Sequence, residues 1–549
     1  MNTGKFTPAL FSILSGKFSF RDLRGDLLAG ITVAIVALPL SMALAIASGA
    51  SPDKGLITAI VAGGLISLLG GSRFQIGGPT GAFVVVVFSI ISRHGYDGLV
   101  LATFLAGIIL VISGYAGLGQ VIKYIPHPVV TGFTSGIAVI IFSSQVQDFF
   151  GFTGKAPAEF IAKWEYYFVS LTDATIGALI VGVSSLALIL LLRRFAPRFP
   201  GYLLAVVLLS VIVYFLPFQV DTVGSRFPAI PSGLPWPGMP DFGWKKIVEV
   251  FPSALTIAFL GGLEALLSAV VADGMTGYRH NSGQELVGQG FANIASALFG
   301  GLPATGAIAR TATNIKAGGK TPLAGIFHAL FILVFLLLAS GLVKYIPMPV
   351  LAAILFVVAW GMSEAGKFRH ILVHSPSERF VLLLTFGLTV LVDLTVAIGV
   401  GITLSSLLFM RQMSQSFEID STGDIPEEDN SRSELPPGTE VFHITGPVFF
   451  GVAGNLMTVL RKMGQPPRVL IVRMKWMPFL DSSGVNAIAE LIQYCRNQNI
   501  AIILSGLQKK PLHTLLEEGF RNHSQGLYFS SDYEKALRLA RKLTEEKTQ

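Results

Sequence analysis

Glu264, in the run Phe259-Leu260-Gly261-Gly262-Leu263-Glu264-Ala265-Leu266-Leu267-Ser268, is a carboxylate near the middle of an apolar stretch. Arg310, in Ala307-Ile308-Ala309-Arg310-Thr311-Ala312-Thr313, is a fixed cation in another. An ionisable group at membrane depth is costly, so each should face a cavity or a partner. Two Gly/Pro breaks also interrupt apolar runs, Gly77-Gly78-Pro79-Thr80-Gly81 and Gly300-Gly301-Leu302-Pro303-Ala304-Thr305-Gly306. Irregular backbone at that depth is tolerated only where it lines a cavity or is buried in protein. A half-helix starting after each break would offer free N–H groups and the positive end of its dipole, which attract an anion. Arg310 then reads as a counter-charge. A carboxylate beside an anion repels it unless it carries a proton or a cation, so Glu264 reads as the coupling residue. Ser268 lies one turn on, on the same helix face, placed to share its ligand. The competing readings are Gly hinges for helix packing, an Arg310 that snorkels to the surface or pairs with an acid, and a Glu264 that is neutralised or simply protonated. Asp393 reads as a turn cap, His328 as a hydrogen-bonded core histidine, and Asp273, Arg279, His280 and Glu285 as solvated loop charges.

These residues need a membrane to be positioned in. Of 549 residues, 52% are hydrophobic and 13% charged, against about 25% charged in soluble chains. The charge is thin over 1–411 and denser after 412, which separates an apolar body from a soluble tail. The net +7 comes from residues flanking the membrane spans and gives no support for a nucleic-acid partner. With Cys495 as the one cysteine, no intrachain disulfide forms. The first apolar run, 27–47, is too long for a cleavable signal. No phosphate-binding glycine loop, metal-spaced Cys/His set or nucleophile–base pair is present, so neither ATP-driven transport nor an enzyme is expected, and no cofactor or metal beyond a coupling ion.

Apolar runs judged against the roughly 20 residues that cross hydrocarbon fall near 27–47, 56–70, 98–118, 129–147, 174–192, 202–216, 251–272, 286–300, 322–343, 349–362, 379–393 and 395–410, with half-helices near 80–92 and 305–316. These fourteen segments, an even number, put both termini on one side. Lys5, Lys17, Arg21, Arg24, Arg193, Arg194, Arg198, Lys367, Arg369, Arg379 and Arg411 make that side the cytoplasm. The motif Lys123-Tyr124-Ile125-Pro126-His127-Pro128-Val129 recurs as Lys344-Tyr345-Ile346-Pro347-Met348-Pro349-Val350, and Thr80-Gly81-Ala82 recurs as Thr305-Gly306-Ala307 at nearly the same spacing. Two copies of seven segments, an odd number, must be inverted relative to one another, the plan of secondary transporters. The expected fold is therefore an α-helical polytopic membrane protein with a C-terminal α/β domain. Residues 1–26 form a cytoplasmic segment, 27–411 the transport domain (repeats about 27–216 and 251–411), 412–437 a linker and 438–549 the tail domain. In the tail, strands are read at 440–445, 468–472 and 500–504. Helices are read near 453–463, from Asp481-Ser482-Ser483-Gly484 to about 497, and near 509–519 and 531–543.

The run Gly262-Leu263-Glu264-Ala265-Leu266-Leu267-Ser268 through Asp273-Gly274-Met275-Thr276-Gly277, the run Glu285-Leu286-Val287-Gly288-Gln289-Gly290, and Gly306 to Asn314 resemble the SulP (sulfate permease) family of anion transporters. Leu38-Pro39 and Gly78-Pro79-Thr80 fit as well, and Phe479-Leu480-Asp481-Ser482-Ser483-Gly484 resembles the loop of a STAS domain. Among bacterial members the chain is most similar to the C4-dicarboxylate transporters. The resemblance implies a core domain of segments 1–4 and 8–11, a gate domain of segments 5–7 and 12–14, a homodimer and an elevator-like motion. It implies an anion site at Leu40 and Leu44 on segment 1, Thr80 and Gly81 on segment 3, and Ala309 and Arg310 on segment 10. It places the coupling ion at Glu264, with Ser268 beside it, as a proton rather than sodium because the acid is Glu. It also implies phosphorylation of Ser482 or Ser483. Animal members often carry Gln where Leu40 stands and Ser where Ala309 stands, so those side-chain bonds to the anion are missing.

The expected function is secondary active, proton-coupled uptake of a C4-dicarboxylate, sulfate or bicarbonate across the inner membrane, with membrane lipid around it and a cytosolic regulator acting on the tail. The alternatives are a sodium-coupled bicarbonate symporter, a nucleobase symporter and a passive anion channel. Arg310 and the STAS-like tail oppose the nucleobase reading, and a coupling Glu264 would be superfluous in a channel.

Overall fold

The computed structural model describes residues 6–14, 20–120, 126–154, 156–157, 159–196, 199–216, 219–228, 231–392, 394–415, 417–421, 435–450, 466–523 and 526–546. The chain divides into two compact units, Met1–Ile402 and Thr403–Gln549.

In the first unit a short helix, α1 (Ala9–Leu14), precedes α2 (Phe20–Ala47) and α3 (Pro52–Leu69). α3 begins with proline at its first position, where a missing N–H costs nothing. α4 (Gly81–Tyr115) holds two segments in one helix, the half-helix and the following span, joined at Gly95, whose φ of 70° only glycine adopts freely. α5 (His127–Phe150), α6 (Phe160–Val169), α7 (Ile176–Phe195) and α8 (Gly201–Phe215) complete the first repeat, and a short α9 (Val223–Arg226) follows it. The second holds α10 (Trp244–Thr276), α11 (Ser282–Leu298), α12 (Ile308–Lys316), α13 (Leu323–Val343), α14 (Met348–Met362), α15 (Ala365–Val373), α16 (Pro376–Leu391) and α17 (Leu394–Gln415).

Each of the fourteen sequence segments falls on one of these helices. Among the described residues nine helices are long and apolar enough to cross a bilayer. α4 supplies a further segment, and α8, α11, α12 and α16 are shorter. α6 and α15 had no counterpart among the expected spans, because ten and nine residues are too few for the span criterion.

Packing sorts the helices into two bundles. α2, α3, α4, α10, α11, α12 and α13 pack on one another, as do α5, α7, α8, α14 and α16; the bundles touch where α2 meets α8 and α14 and where α4 meets α5 and α14. The repeated Pro-x-Pro motif starts α5 in one copy and α14 in the other, and these two helices pack together. The chain ahead of each half-helix forms a two-residue strand, β1 (Gly77–Gly78) and β2 (Thr305–Gly306). The two pair antiparallel, Gly77 opposite Gly306 and Gly78 opposite Thr305. The inverted repeat is thus joined at its centre by backbone hydrogen bonds.

The second unit carries a five-stranded sheet in the order β3 (Glu418–Ser421), β4 (Thr439–Thr445), β5 (Val469–Trp476), β6 (Ala501–Ser505) and β7 (Leu527–Ser530). β3 is antiparallel to β4, and the others are parallel. Alternate residues cover opposite faces. Phe442, Leu470, Val472, Ile502 and Leu504 pack against α18 (Ser482–Asn497) and α19 (Lys509–Glu517). Val441, Val469, Ile471 and Ile503 pack against α20 (Tyr533–Glu546). The expected strands and the helices near 481–497, 509–519 and 531–543 are present. β3 lies inside the segment read as a linker, and α17 runs past the expected end of the membrane body. Both are polar enough to read as linker, and β3 becomes a strand by pairing with β4. β7 was also missed. The helix expected at 453–463 and Asp393 lie outside the described residues.

Candidate functional site

Thr80 is the N-cap of α4 with extended backbone (φ −126°, ψ 159°), and Ala307 is the N-cap of α12 (φ −97°, ψ 114°). The first-turn amides of both helices, at Gly81 and Ala82 and at Ile308, Ala309 and Arg310, have no partner within their helices. Because β1 and β2 pair directly ahead of them, the two positive helix ends are held as neighbours.

The two breaks are gripped by side chains from three helices, α3, α11 and α12, and the second is also tied to the α10 backbone. In the first, Asn314 Nδ2 donates to the Phe74 carbonyl at 2.8 Å, and the Ile76 N–H donates to Thr311 Oγ1 at 3.2 Å. In the second, Asn293 takes both backbone groups of Ala304, donating to its carbonyl and accepting from its N–H at 2.8 Å each. Thr58 Oγ1 accepts from the Leu302 N–H at 2.7 Å, and Thr305 Oγ1 donates to the Gly261 carbonyl on α10 at 2.7 Å. Gln75, 3% exposed, lies against Gly306 with its amide unbonded.

Arg310 is 2% exposed, which excludes snorkelling. Its Nη2 donates to Ser41 Oγ on α2 and to the Pro79 carbonyl at 3.1 Å each, and its Nη1 to the Gly77 carbonyl at 3.4 Å. Gly78 has φ 148°, and a β-carbon there would collide with the guanidinium. Arg310 therefore delivers its charge to the loop just ahead of the α4 half-helix and does not pair with an acid among the described residues.

Glu264 is bonded to the N-cap of α4: Thr80 Oγ1 donates to Glu264 Oε2 at 2.8 Å. Ser268 has a partner on another helix. It is fully buried, and its hydroxyl donates to Thr311 Oγ1 at 3.2 Å, because α12 packs across that face of α10. Ala309 is exposed and Leu40 half-buried, whereas Leu44, one turn beyond Leu40, is sealed in the apolar core at 2%. A β-carbon on Gly81 would meet Met362 and Ile141, so the second bundle presents an apolar wall to the α4 terminus.

Two other expectations are corrected. Glu285 is not a solvated loop charge. It is fully buried, and its Oε2 accepts from the Gly71 and Ser72 N–H groups at 2.8 and 3.0 Å. Asp273 and His280 are joined at 2.7 Å, with Ser282 Oγ 3.0 Å from His280 Nε2. His328 is fully buried with neither ring nitrogen hydrogen-bonded, so its place is set by packing. In the second unit Asp481 caps α18, accepting from the Gly484 N–H at 2.7 Å and the Phe450 N–H at 3.2 Å; Ser482 is exposed and Ser483 half-buried. The bonding of Ser41, Thr311 and Asn293 and the placement of Gln75 were missed. The spacing Glu285, Gln289, Asn293, one polar residue per turn on one face, was the available signal for Glu285 and Asn293.

A multi-pass helical body with two half-helices whose entering strands pair at its centre has the architecture of a membrane transporter. The chain matches the sulfate permease family over residues 23–385 and the STAS domain over 431–531, and it belongs to the sulfate permease family of anion transporters. It is 40% identical over 511 residues to the putative sulfate transporter YvdB of Bacillus subtilis, covering 92% of this chain and 96% of that protein. It is 33% identical over 473 residues to the bicarbonate transporter BicA of Picosynechococcus sp., covering 82% and 83%. Among solved structures, the transmembrane domain of a cyanobacterium bicarbonate transporter BicA aligns with a TM-score of 0.63 at 34% identity, covering 70% of this chain and 99% of that one. Murine Solute Carrier 26 family member A9 in the inward-facing state aligns at 0.87 and 18% identity over 98% and 94%, a likeness of fold. The named relatives are transporters rather than enzymes. The two bacterial relatives cited carry sulfate and bicarbonate in their names, and the expected closeness to C4-dicarboxylate transporters finds no support among them.

Proposed function

We propose that this chain carries a small oxyanion, sulfate or bicarbonate with a C4-dicarboxylate as third candidate, into the cell in symport with a proton. The anion would sit at the α4 and α12 termini, against Leu40, Thr80, Gly81 and Ala309, with Arg310 supplying positive charge. The first bundle would move as an elevator core against the second. The observation that carries this reading is the 2.8 Å bond from Thr80 Oγ1 to Glu264 Oε2. It makes the carboxylate a direct neighbour of the helix end that attracts the anion. Two negative charges there repel, so a proton on Glu264 favours anion binding, and by reciprocity a bound anion favours the proton. Sodium coupling is the second reading: Ser268 donates its hydroxyl proton to Thr311, which leaves its oxygen lone pairs able to serve a cation beside Glu264. Placement in the inner membrane with both termini cytoplasmic, homodimerisation, and regulation through the exposed Ser482 rather than Ser483 belong to the same reading. The test is uptake of labelled sulfate, bicarbonate and succinate into proteoliposomes under separately imposed proton and sodium gradients. Uptake of none of the three, or uptake indifferent to both gradients, would refute it; the second outcome points to a channel.

A further inference from the structure

Besides facing its neighbours, α11 carries three buried polar residues one turn apart: Glu285 at 0%, Gln289 at 0% and Asn293 at 1% exposure. Hydrogen bonds connect them through Gln289, by its side chain to Glu285 and by its backbone carbonyl to Asn293. Glu285 Oε2 holds the Gly71 and Ser72 N–H groups, at the entry to the first break. Gln289 Nε2 donates to Glu285 Oε1 at 2.9 Å. Asn293 Nδ2 donates to the Gln289 carbonyl at 2.8 Å, and the same side chain holds both backbone groups of Ala304 in the second break. Eight helical residues span about 12 Å. One rigid element therefore grips both entering chains at a set separation, and between those grips the chains converge to the Gly77–Gly306 pair from which the half-helices start.

The packing around the stripe leaves little slack. A β-carbon on Gly288 would overlap Gly70, and one on Gly71 would overlap the Asn281 carbonyl, so the first break lies directly against α11 and the loop ahead of it. From this geometry we infer that Glu285 and Asn293 are positioning residues that set the spacing of the two half-helix termini, and through it the size of anion the site prefers. The inference rests on the anion-site reading above. Neither residue is placed to touch the anion: Glu285 binds the chain six residues ahead of Gly77, and Asn293 binds Ala304, ahead of β2.

The variants follow from the bonding. Asn293→Ala strips both Ala304 groups of their partner. Asn293→Ser is a smaller loss at the same place. Glu285→Ala frees the Gly71 and Ser72 amides. Glu285→Gln keeps an acceptor for those amides, and the Gln289 amide, whose Oε1 is unbonded, can turn to face the new side chain. Glu285→Gln is thus the conservative rescue. Leu336→Ala, in the core of α13 and away from both breaks, serves as a control for plain loss of stability.

The experiment measures kcat/KM for sulfate, bicarbonate and succinate in proteoliposomes, together with the thermal midpoint of each full-length variant. The loss of one or two hydrogen bonds corresponds to an effect of at least about fivefold for Asn293→Ala and Glu285→Ala, and a smaller one for Asn293→Ser. The expected result is a change of about that size in the ratio of kcat/KM between two of the anions for Asn293→Ala, Asn293→Ser and Glu285→Ala. Glu285→Gln should return to the wild-type ratio, and Leu336→Ala should lower the midpoint and leave the ratio unchanged. Unchanged ratios in every variant that folds, or equal shifts in Leu336→Ala, overturn the inference. Wild-type protein that carries none of the three anions overturns the site reading instead.

Discussion

Replacing Glu264 by Gln removes the charge and keeps the shape. The amide oxygen still accepts from Thr80 Oγ1, which is 2.8 Å from the carboxylate in the native chain. A bond to a charged acceptor is worth about 1.5–3 kcal/mol and one to a neutral acceptor about 0.5–1.5 kcal/mol. The direct loss is then about 1 kcal/mol, a factor of about five. Part of it is offset because the anion no longer meets a negative neighbour, so anion affinity should stay within about fivefold of wild type. The effect on coupling is much larger. One proton per anion links accumulation to the gradient by 1.36 kcal/mol per pH unit, about tenfold. With the membrane potential clamped at zero and the outside one unit more acid, wild-type proteoliposomes should concentrate labelled sulfate about tenfold. The Glu264→Gln protein should fill them only to the outside concentration. Accumulation by this variant equal to wild type would refute the assignment of the proton to Glu264. Wild-type accumulation that answers to sodium alone would transfer the role to a cation site at the same carboxylate.

Arg310→Ala should lower anion affinity at least tenfold and also lower the thermal midpoint, because it leaves the Gly77 and Pro79 carbonyls and the Ser41 hydroxyl without their buried donor. Arg310→Lys should recover only part of the affinity, since one ammonium cannot reproduce the fork; wild-type calorimetric affinity in the Ala variant would count against the counter-charge. Burial pushes the Cys495 thiol up to about 12, so the only cysteine in the chain should resist maleimide at pH 7.5 until the tail domain is unfolded by denaturant. The same raised value means that the thiol's contribution to stability is whole below the unfolded value of 9.0 and is lost as pH climbs toward about 12. Guanidinium titrations between pH 8 and 11 should show the tail's midpoint falling with pH. Protein ended after Gln415, the last residue of α17, should still bind the anion; complete loss of binding in folded truncated protein would make the tail part of the site.

Much of this protein is legible in one dimension. Apolar run length marks the helices because hydrocarbon thickness sets a length that any spanning helix must meet. The Gly/Pro breaks and the recurring Lys-Tyr-Ile-Pro motif mark the inverted repeat because backbone irregularity must be repeated where the architecture is. Glu264 and Arg310 stand out because charge is costly in an apolar run. What the sequence could not supply is which groups meet. Thr80 and Glu264 are 184 positions apart, Arg310 and Ser41 are 269 apart, and Glu285 reaches Gly71 across 214. A side chain's partner at such separations is settled only when the helices dock, and then by a few tenths of an ångström. Ser268 shows this plainly: it lies one turn from Glu264 on α10, yet its hydroxyl donates to Thr311 on α12, 43 positions away. Glu285 was read as a loop charge because it follows Arg279 and His280 in sequence. In the folded chain it accepts from the Gly71 and Ser72 amides at the entry to the first break; the polar spacing of Glu285, Gln289 and Asn293 marks a buried face, but only the docked fold shows which amides it serves.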